Sequence, residues 1–381
     1  MRKNTSAKND WCIFYLKRLL QLTGKGKLTK KKTSGRKGKK KNNPGNWFLA
    51  ILIAFIILLI IKAIVAEPYI VRSTNMGQTV IPGELILINK TGYGARLPGT
   101  LLSIPFFGLN YYSTLIELPY FRLAGSDKIN RFEIVLFNLP YQKEKPVDKR
   151  TQKISRIIGM PGDTLEIVNS KIKINDLYTD IPEDKLYFGY TVISANPEKM
   201  SGIFDKYDIN EGSMNEKEQY IISTSISNYE NLKNEKDVRK IYRTDISAYN
   251  ENLVFPGEKS YHWSMNSFGP LVVPGKNRSV FLTKNNIAVY KDIIENFENC
   301  NLKITSSSIS INGKKVSEYT FKYNYYFVLD DNRENANDSR YWGFLPENCI
   351  IGRCSTVLYS IDKSKKDIHK IQLSRFFKRI E

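Results

Sequence analysis

A mainly β domain carried behind a single membrane-spanning helix is the fold class this chain predicts, and three observations predict it. One apolar run of membrane-crossing length lies near the start. Most of the excess positive charge precedes that run, and a series of short strand-like segments separated by turn residues follows it.

Residues 1–45 hold fifteen Lys or Arg against one acid, Asp10, so +14 of the formal net charge of +20 lies ahead of the apolar run. A nucleic-acid-binding domain would carry such charge on a folded surface; basic charge on one side of an apolar run instead sets membrane orientation. A basic cytoplasmic tail that binds no nucleic acid is expected here. Within it, Trp11–Leu22 reads as an amphipathic segment on the inner leaflet or as a short solvated helix. The Gly-, Lys- and Ser-rich stretch 25–41 reads as disordered chain held near anionic lipid.

Residues 46–66 are expected to form the transmembrane helix. The 20 residues from Trp47 to Ala66 carry one charge, Lys62, and a helix of that length covers about 30 Å, the thickness of the hydrocarbon core. A cleaved signal peptide ending at Ile64-Val65-Ala66 is the competing reading, but such apolar regions are shorter and rarely follow so long a basic segment. The expectation is a single-pass protein of the inner (cytoplasmic) membrane, with its N-terminus in the cytoplasm and its main domain outside.

Beyond Ala66, the runs LILIN (85–89), FEIVLF (132–137), TLEIV (164–168), IKIN (172–175), SVFLT (279–283), YYFVL (325–329) and STVLYSI (355–361) are rich in branched and aromatic residues. Gly, Pro, Asn and Asp punctuate them, as in strands joined by turns. Tyr290–Glu298 is the helix candidate, with apolar residues at 290, 293, 294 and 297. Residues 176–252 are more polar, show few strong strands and read as an insertion, and 366–381 read as a basic C-terminal tail. Four cysteines without a CxxC pair and two histidines predict no metal site, and no cofactor is expected. Cys300, Cys349 and Cys354 fit one disulfide or three free thiols equally well.

Four ordered segments carry a family resemblance: EPYIVRSTNMGQTVIPGELILINK (67–90), FEIVLFNLP (132–140), KISRIIGMPGDTLEI (153–167) and YYFVLDDNRENANDSRYWGFLPENCIIGR (325–353). Together with 268–298, which looks like a second-domain segment, this order resembles the bacterial type I signal peptidases over roughly 230 residues. The resemblance implies two antiparallel β-domains: a core of 67–175 with 317–365, and a second β-domain or insertion of 176–316.

In that family a serine just before the Met of the first segment attacks the scissile carbonyl, and a lysine just before the Arg of the third is its base. A serine needs a neighbouring base to become nucleophilic, and a lysine serves only when burial has lowered its pKa from about 10.4. Here the nucleophile position is Asn75 and the base position is Ser155. The position of a serine that orients the lysine is Ala336, and the Gly that opens the last segment is Asp330. Ser73 stands where the family places an oxyanion-hole hydroxyl. Arg156, Asp331, Arg333, Asp338 and Arg340 match the family scaffold; the last four alternate in sign and read as a loop tied down by charge-assisted hydrogen bonds.

The resemblance therefore implies a catalytically silent homologue. It would hold signal peptides or secreted precursors against an edge strand, touch inner-membrane lipid, and partner the export machinery or an active signal peptidase. The alternative is an active peptidase with a rewired site, in which Ser73 or Thr74 attacks and Lys153 is the base, since 153 and 155 face the same way about 6.6 Å apart on a strand. A structural envelope protein that uses the fold only as a scaffold is a third reading. Ser264-Met265 imitates the nucleophile segment but reads as a surface loop of the second domain.

Overall fold

The computed structural model describes residues 44–103, 111–179, 185–244, 254–306, 308–333, 335–361 and 371–381. The segments expected at 11–22 and 25–41 lie outside these residues. The described residues from Ala54 to Glu381 form one compact unit. The apolar run is a helix, Pro44–Ile64, and Trp47–Ile64 is long and apolar enough to cross a membrane, with its side chains turned outward. It stops two residues before the expected end because Ala66 already pairs with Asn89 as the first rung of a β-ladder.

The rest is mainly β, as expected. Six strands run in order: β1 (Ala66–Ile70), β2 (Leu85–Asn89), β3 (Thr100–Ser103), β4 (Tyr112–Glu117), β5 (Ile134–Asn138) and β6 (Gln152–Gly159). Four of them join Ile350–Tyr359, Tyr325–Leu329 and Leu345–Pro346 in a seven-stranded antiparallel sheet, ordered β1, β2, 350–359, β5, β6, 325–329, 345–346. Both faces are covered. Ile134 and Leu136 pack with Met76, Ile86, Ile88 and Ile154 on one side, while Val135 and Phe137 pack with Ile157, Val328 and Leu345 on the other. Two buried faces explain why β5 reads as an unbroken apolar run, since successive side chains point to opposite sides.

A further sheet begins at Thr164. Gly162, at φ +93°, turns the chain out of the first sheet, and Thr164–Val168 then pairs with Lys171–Ile174 and with Phe268–Val272. Leu165 and Ile167 belong to the large core that contains Phe268, Phe321 and Tyr325. The polar insertion holds more strand than its composition suggests: Tyr187–Ser194, Gly212–Met214, Tyr220–Ser225 and Val238–Arg243 form a four-stranded sheet. Its Ser and Thr residues hide the pattern, because main-chain pairing needs no apolar side chain; Phe188, Val192, Met200, Ile222 and Leu232 supply the core.

The helix expected at 290–298 is α-helical over Ile287–Asp292 and continues as a π turn over Ile293–Phe297. Cys300, Cys349 and Cys354 are buried and free, which decides against a disulfide. Residues 371–381 are docked on the first sheet, with Ile380 buried in the same cluster as Met76 and Ile380 N donating to Ser355 O at 3.0 Å.

Candidate functional site

Lys153 and Ser155 lie two apart on β6, so they project to one side. The neighbouring strand places Leu329 opposite Arg156, which brings Asp330 against that side. The 74–79 loop arrives from β1, held by Thr74 O accepting from Gly77 N at 3.0 Å and anchored by fully buried Met76. Asn332 N donates to Asn75 O at 2.9 Å and fastens this loop to the one after Asp330.

Asp330, with no exposed surface, is the centre of the arrangement. Its Oδ1 accepts from Asn75 Nδ2 at 2.9 Å and lies 2.6 Å from the Ser155 hydroxyl. Its Oδ2 accepts from Lys153 Nζ at 2.8 Å and from Asn337 N at 3.0 Å. Asn75 Nδ2 also donates to Ile154 O at 2.7 Å, and Lys153 Nζ to Asn337 O at 2.7 Å. Burial pushes the Asp330 carboxyl up from the ordinary aspartate range; Lys153 opposes this shift and Asp338 adds to it. Burial acts the same way on Asp338, but the Arg340 guanidinium and hydrogen bonds outweigh it and hold that carboxyl below the usual range.

Ser73 and Thr74 stand apart from this cluster. Ser73 is exposed and its Oγ accepts from Asn75 N at 3.3 Å. Thr74 Oγ1 accepts from Asn335 Nδ2 at 2.8 Å. Lys153 therefore meets Asp330 and Asn337 among the described residues and bonds neither hydroxyl. An ammonium held by a carboxylate and a carbonyl has no lone pair with which to take a proton.

Four of the five scaffold residues form two ion pairs. Arg156 grips Asp331 through Nε at 2.8 Å and NH2 at 2.6 Å, and donates to Phe132 O. Arg340 takes Asp338 through Nε at 3.0 Å and NH2 at 2.8 Å, and reaches Met265 O at 3.2 Å. Arg333 is buried with its Nε bonded to nothing among the described residues; burial and Arg340 pull it down to about 10. Ser264 closes a tight turn, accepting from Ser267 N at 3.1 Å, and Met265 lies in the large core that contains Phe268.

Sequence reasoning missed what the insertion does here. The Tyr187 ring lies over Gly77, where an added Cβ would come within 2.6 Å of Tyr187 Cδ2. Tyr187 N donates to Asp331 O at 3.0 Å and its carbonyl accepts from Arg333 N at 2.8 Å, while Ser223 and Glu211 bond Asn332. No local motif marks Tyr187; only the pairing of distant segments does. Asp330 left a clearer signal, an acid facing a strand that carries a lysine and a serine on one side.

Comparison with known proteins bears on this arrangement. A family profile described as signal peptidase, peptidase S26 matches residues 45–240 and 295–359, more than half of the chain. Signal peptidase I of Buchnera aphidicola from Schizaphis graminum is 26% identical over 317 residues, covering 82% of this chain and 74% of that protein. Signal peptidase I P of Bacillus subtilis natto is 28% identical over 137 residues, 36% of this chain and 54% of that protein.

Proposed function

This chain belongs to the signal peptidase (peptidase S26) family, and from that premise we propose that it is a catalytically silent member that holds signal peptides or secreted precursors without cutting them. One observation carries the reading: a single buried carboxylate, Asp330, engages Asn75, Ser155 and Lys153 together. The residues at both dyad positions and the nearby lysine are committed to it, while Ser73 and Thr74 lie outside its reach. Asn75 offers an amide in place of a nucleophile, Ser155 is fully buried, and Lys153 Nζ is held by Asp330 and Asn337. In a serine protease that loses its nucleophile, about 10³–10⁴ over water remains from binding and the oxyanion hole, too little to process a peptide.

Binding needs none of these groups. β1 is the outermost strand of the first sheet and follows the apolar helix directly. An extended peptide can add to such an edge through main-chain hydrogen bonds, with small side chains seated in the pleat. The helix anchors the chain in the inner membrane, with the basic segment cytoplasmic and the β-domain outside.

The test is to incubate the full-length protein in nanodiscs with a fluorescent leader peptide and follow anisotropy and peptide mass together. Saturable binding with the peptide intact is expected. Cleavage that disappears in Ser73→Ala would overturn the reading in favour of a rewired peptidase. No binding at all would leave a purely structural role.

A further inference from the structure

Lys153 carries a primary amine, Asn75 a primary amide, and Asp330 touches both: Lys153 Nζ lies 2.8 Å from Oδ2 and Asn75 Nδ2 lies 2.9 Å from Oδ1. An amine and an amide can exchange, forming a new amide bond and releasing ammonia, when a group between them carries the proton from one nitrogen to the other. In open water the two side chains would meet rarely and hydrolysis would compete. Neither obstacle applies here. Asn75 is 1% exposed and Ser155 and Asp330 have no exposed surface, so bulk water is kept from the amide. Both nitrogens are gathered at one carboxyl group, which supplies the proximity that such a reaction needs.

The amide and the acid are held in place. Asn75 Nδ2 makes a second bond, to Ile154 O at 2.7 Å, and Asn75 O accepts from Asn332 N at 2.9 Å, so the amide has little freedom to turn. The Ser155 hydroxyl, 2.6 Å from Oδ1, and Asn337 N, 3.0 Å from Oδ2, fix the carboxyl group. Lys153 is the movable partner. Its side chain is 13% exposed, and its flexible four-carbon stem lets Nζ leave Asn337 O and close on Asn75 Cγ. Burial raises the Asp330 carboxyl, which favours a proton on the acid over an ion pair in so dry a site.

We propose that Lys153 and Asn75 join in an intramolecular isopeptide bond, with Asp330 as the proton carrier. Lys153 Nζ gives a proton to Asp330 and attacks Asn75 Cγ with the freed electron pair. The Nζ–Cγ bond forms, and the Cγ–Nδ2 bond breaks as Asp330 passes a proton to Nδ2, which departs as ammonia. The attacking nitrogen gives its second proton to the acid, and ammonia carries it away. A lysine ammonium and a primary amide thus become a secondary amide and an ammonium ion, and nothing is oxidised or reduced. The product ties the 74–79 loop covalently to β6, and the residue at the nucleophile position acts as an electrophile toward its own chain. The bond needs only the buried cluster and forms whether or not the domain holds leader peptides.

The test follows the intact mass of the full-length chain over time after cell-free synthesis into nanodiscs. The folded protein is expected to become lighter by one molecule of ammonia, and the same chain kept in urea should not. Trypsin should then release residues 73–90 joined to residues 151–156, uncut after Lys153. Lys153→Arg keeps a cation for Asp330 but no acylable amine, and should retain its full mass. Asp330→Asn keeps both reactants and should slow the loss at least ~100-fold, with cooperative thermal melting showing that each variant is folded. Full mass in the folded, unaltered protein overturns the proposal, and that measurement decides even where a variant misfolds. Loss of water in place of ammonia, with Lys153 joined to Asp330, overturns it too, as does conversion of Asn75 to aspartate by hydrolysis. An Asp330→Asn variant that reacts at the unaltered rate overturns the role given to the acid.

Discussion

Lys153 Nζ lies 2.8 Å from Asp330 Oδ2, on a carboxylate with no exposed surface. The lysine side chain is 13% exposed, so the two partners are unequal: the ammonium retains some access to water and the carboxylate has none. That inequality sets the consequences of breaking the pair.

Lys153→Met should destabilise the protein by about 3–5 kcal/mol, because it leaves Asp330 buried and uncompensated. Asp330→Asn should cost less, since Lys153 can turn toward solvent while an amide still meets Ser155. Replacing both together, Lys153→Met with Asp330→Leu, should recover most of the loss. Denaturant unfolding of the three variants in detergent checks the order; equal losses for the two single variants would contradict it.

The pH dependence of stability follows from the same carboxylate. The folded protein holds the Asp330 proton to higher pH than the unfolded chain does, whose ordinary value is 3.8. Between those two values the folded state binds more protons, so stability falls as pH rises through the window. Asp338, held low, acts oppositely: its contribution is present above 3.8 and lost as pH falls through its folded value. Thermal melting of the unaltered protein and of Asp330→Asn across this range should show the variant gaining relative stability as pH rises.

Restoring a dyad should require removing the acid. Asn75→Ser with Ser155→Lys alone is expected to stay inactive, because Asp330 would capture the new ammonium as it captures Lys153. Adding Asp330→Gly should release it. A gain of about 10⁴-fold or more in leader-peptide cleavage over the unaltered chain is expected for the triple variant, well within the roughly millionfold that a serine nucleophile is worth. Mass spectrometry of the peptide products reads the result.

Cys349 and Cys354 should resist thiol reagents in the folded protein. Burial pushes the Cys349 thiol up to about 11 and Cys354 higher still, which suppresses the reactive thiolate. Maleimide labelling should modify neither until denaturant is added, after which Cys300, Cys349 and Cys354 all react without prior reduction.

The sequence by itself determined the periodic features: an apolar helix near Trp47–Ile64, strands such as 85–89 and 325–329 within a residue or two, and the mainly β class. Local patterning suffices there, because side-chain spacing along the chain dictates which surfaces are buried. It also marked positions 75, 155 and 330 as departures from the family order. Only the tertiary structure decided that these three meet around one carboxylate, that Tyr187 from the insertion covers Gly77, and that Thr164–Val168 pairs with Phe268–Val272. Those facts depend on pairing between residues up to 255 apart. Contacts at that separation are fixed by how buried surfaces fit together, and a linear pattern carries no record of them.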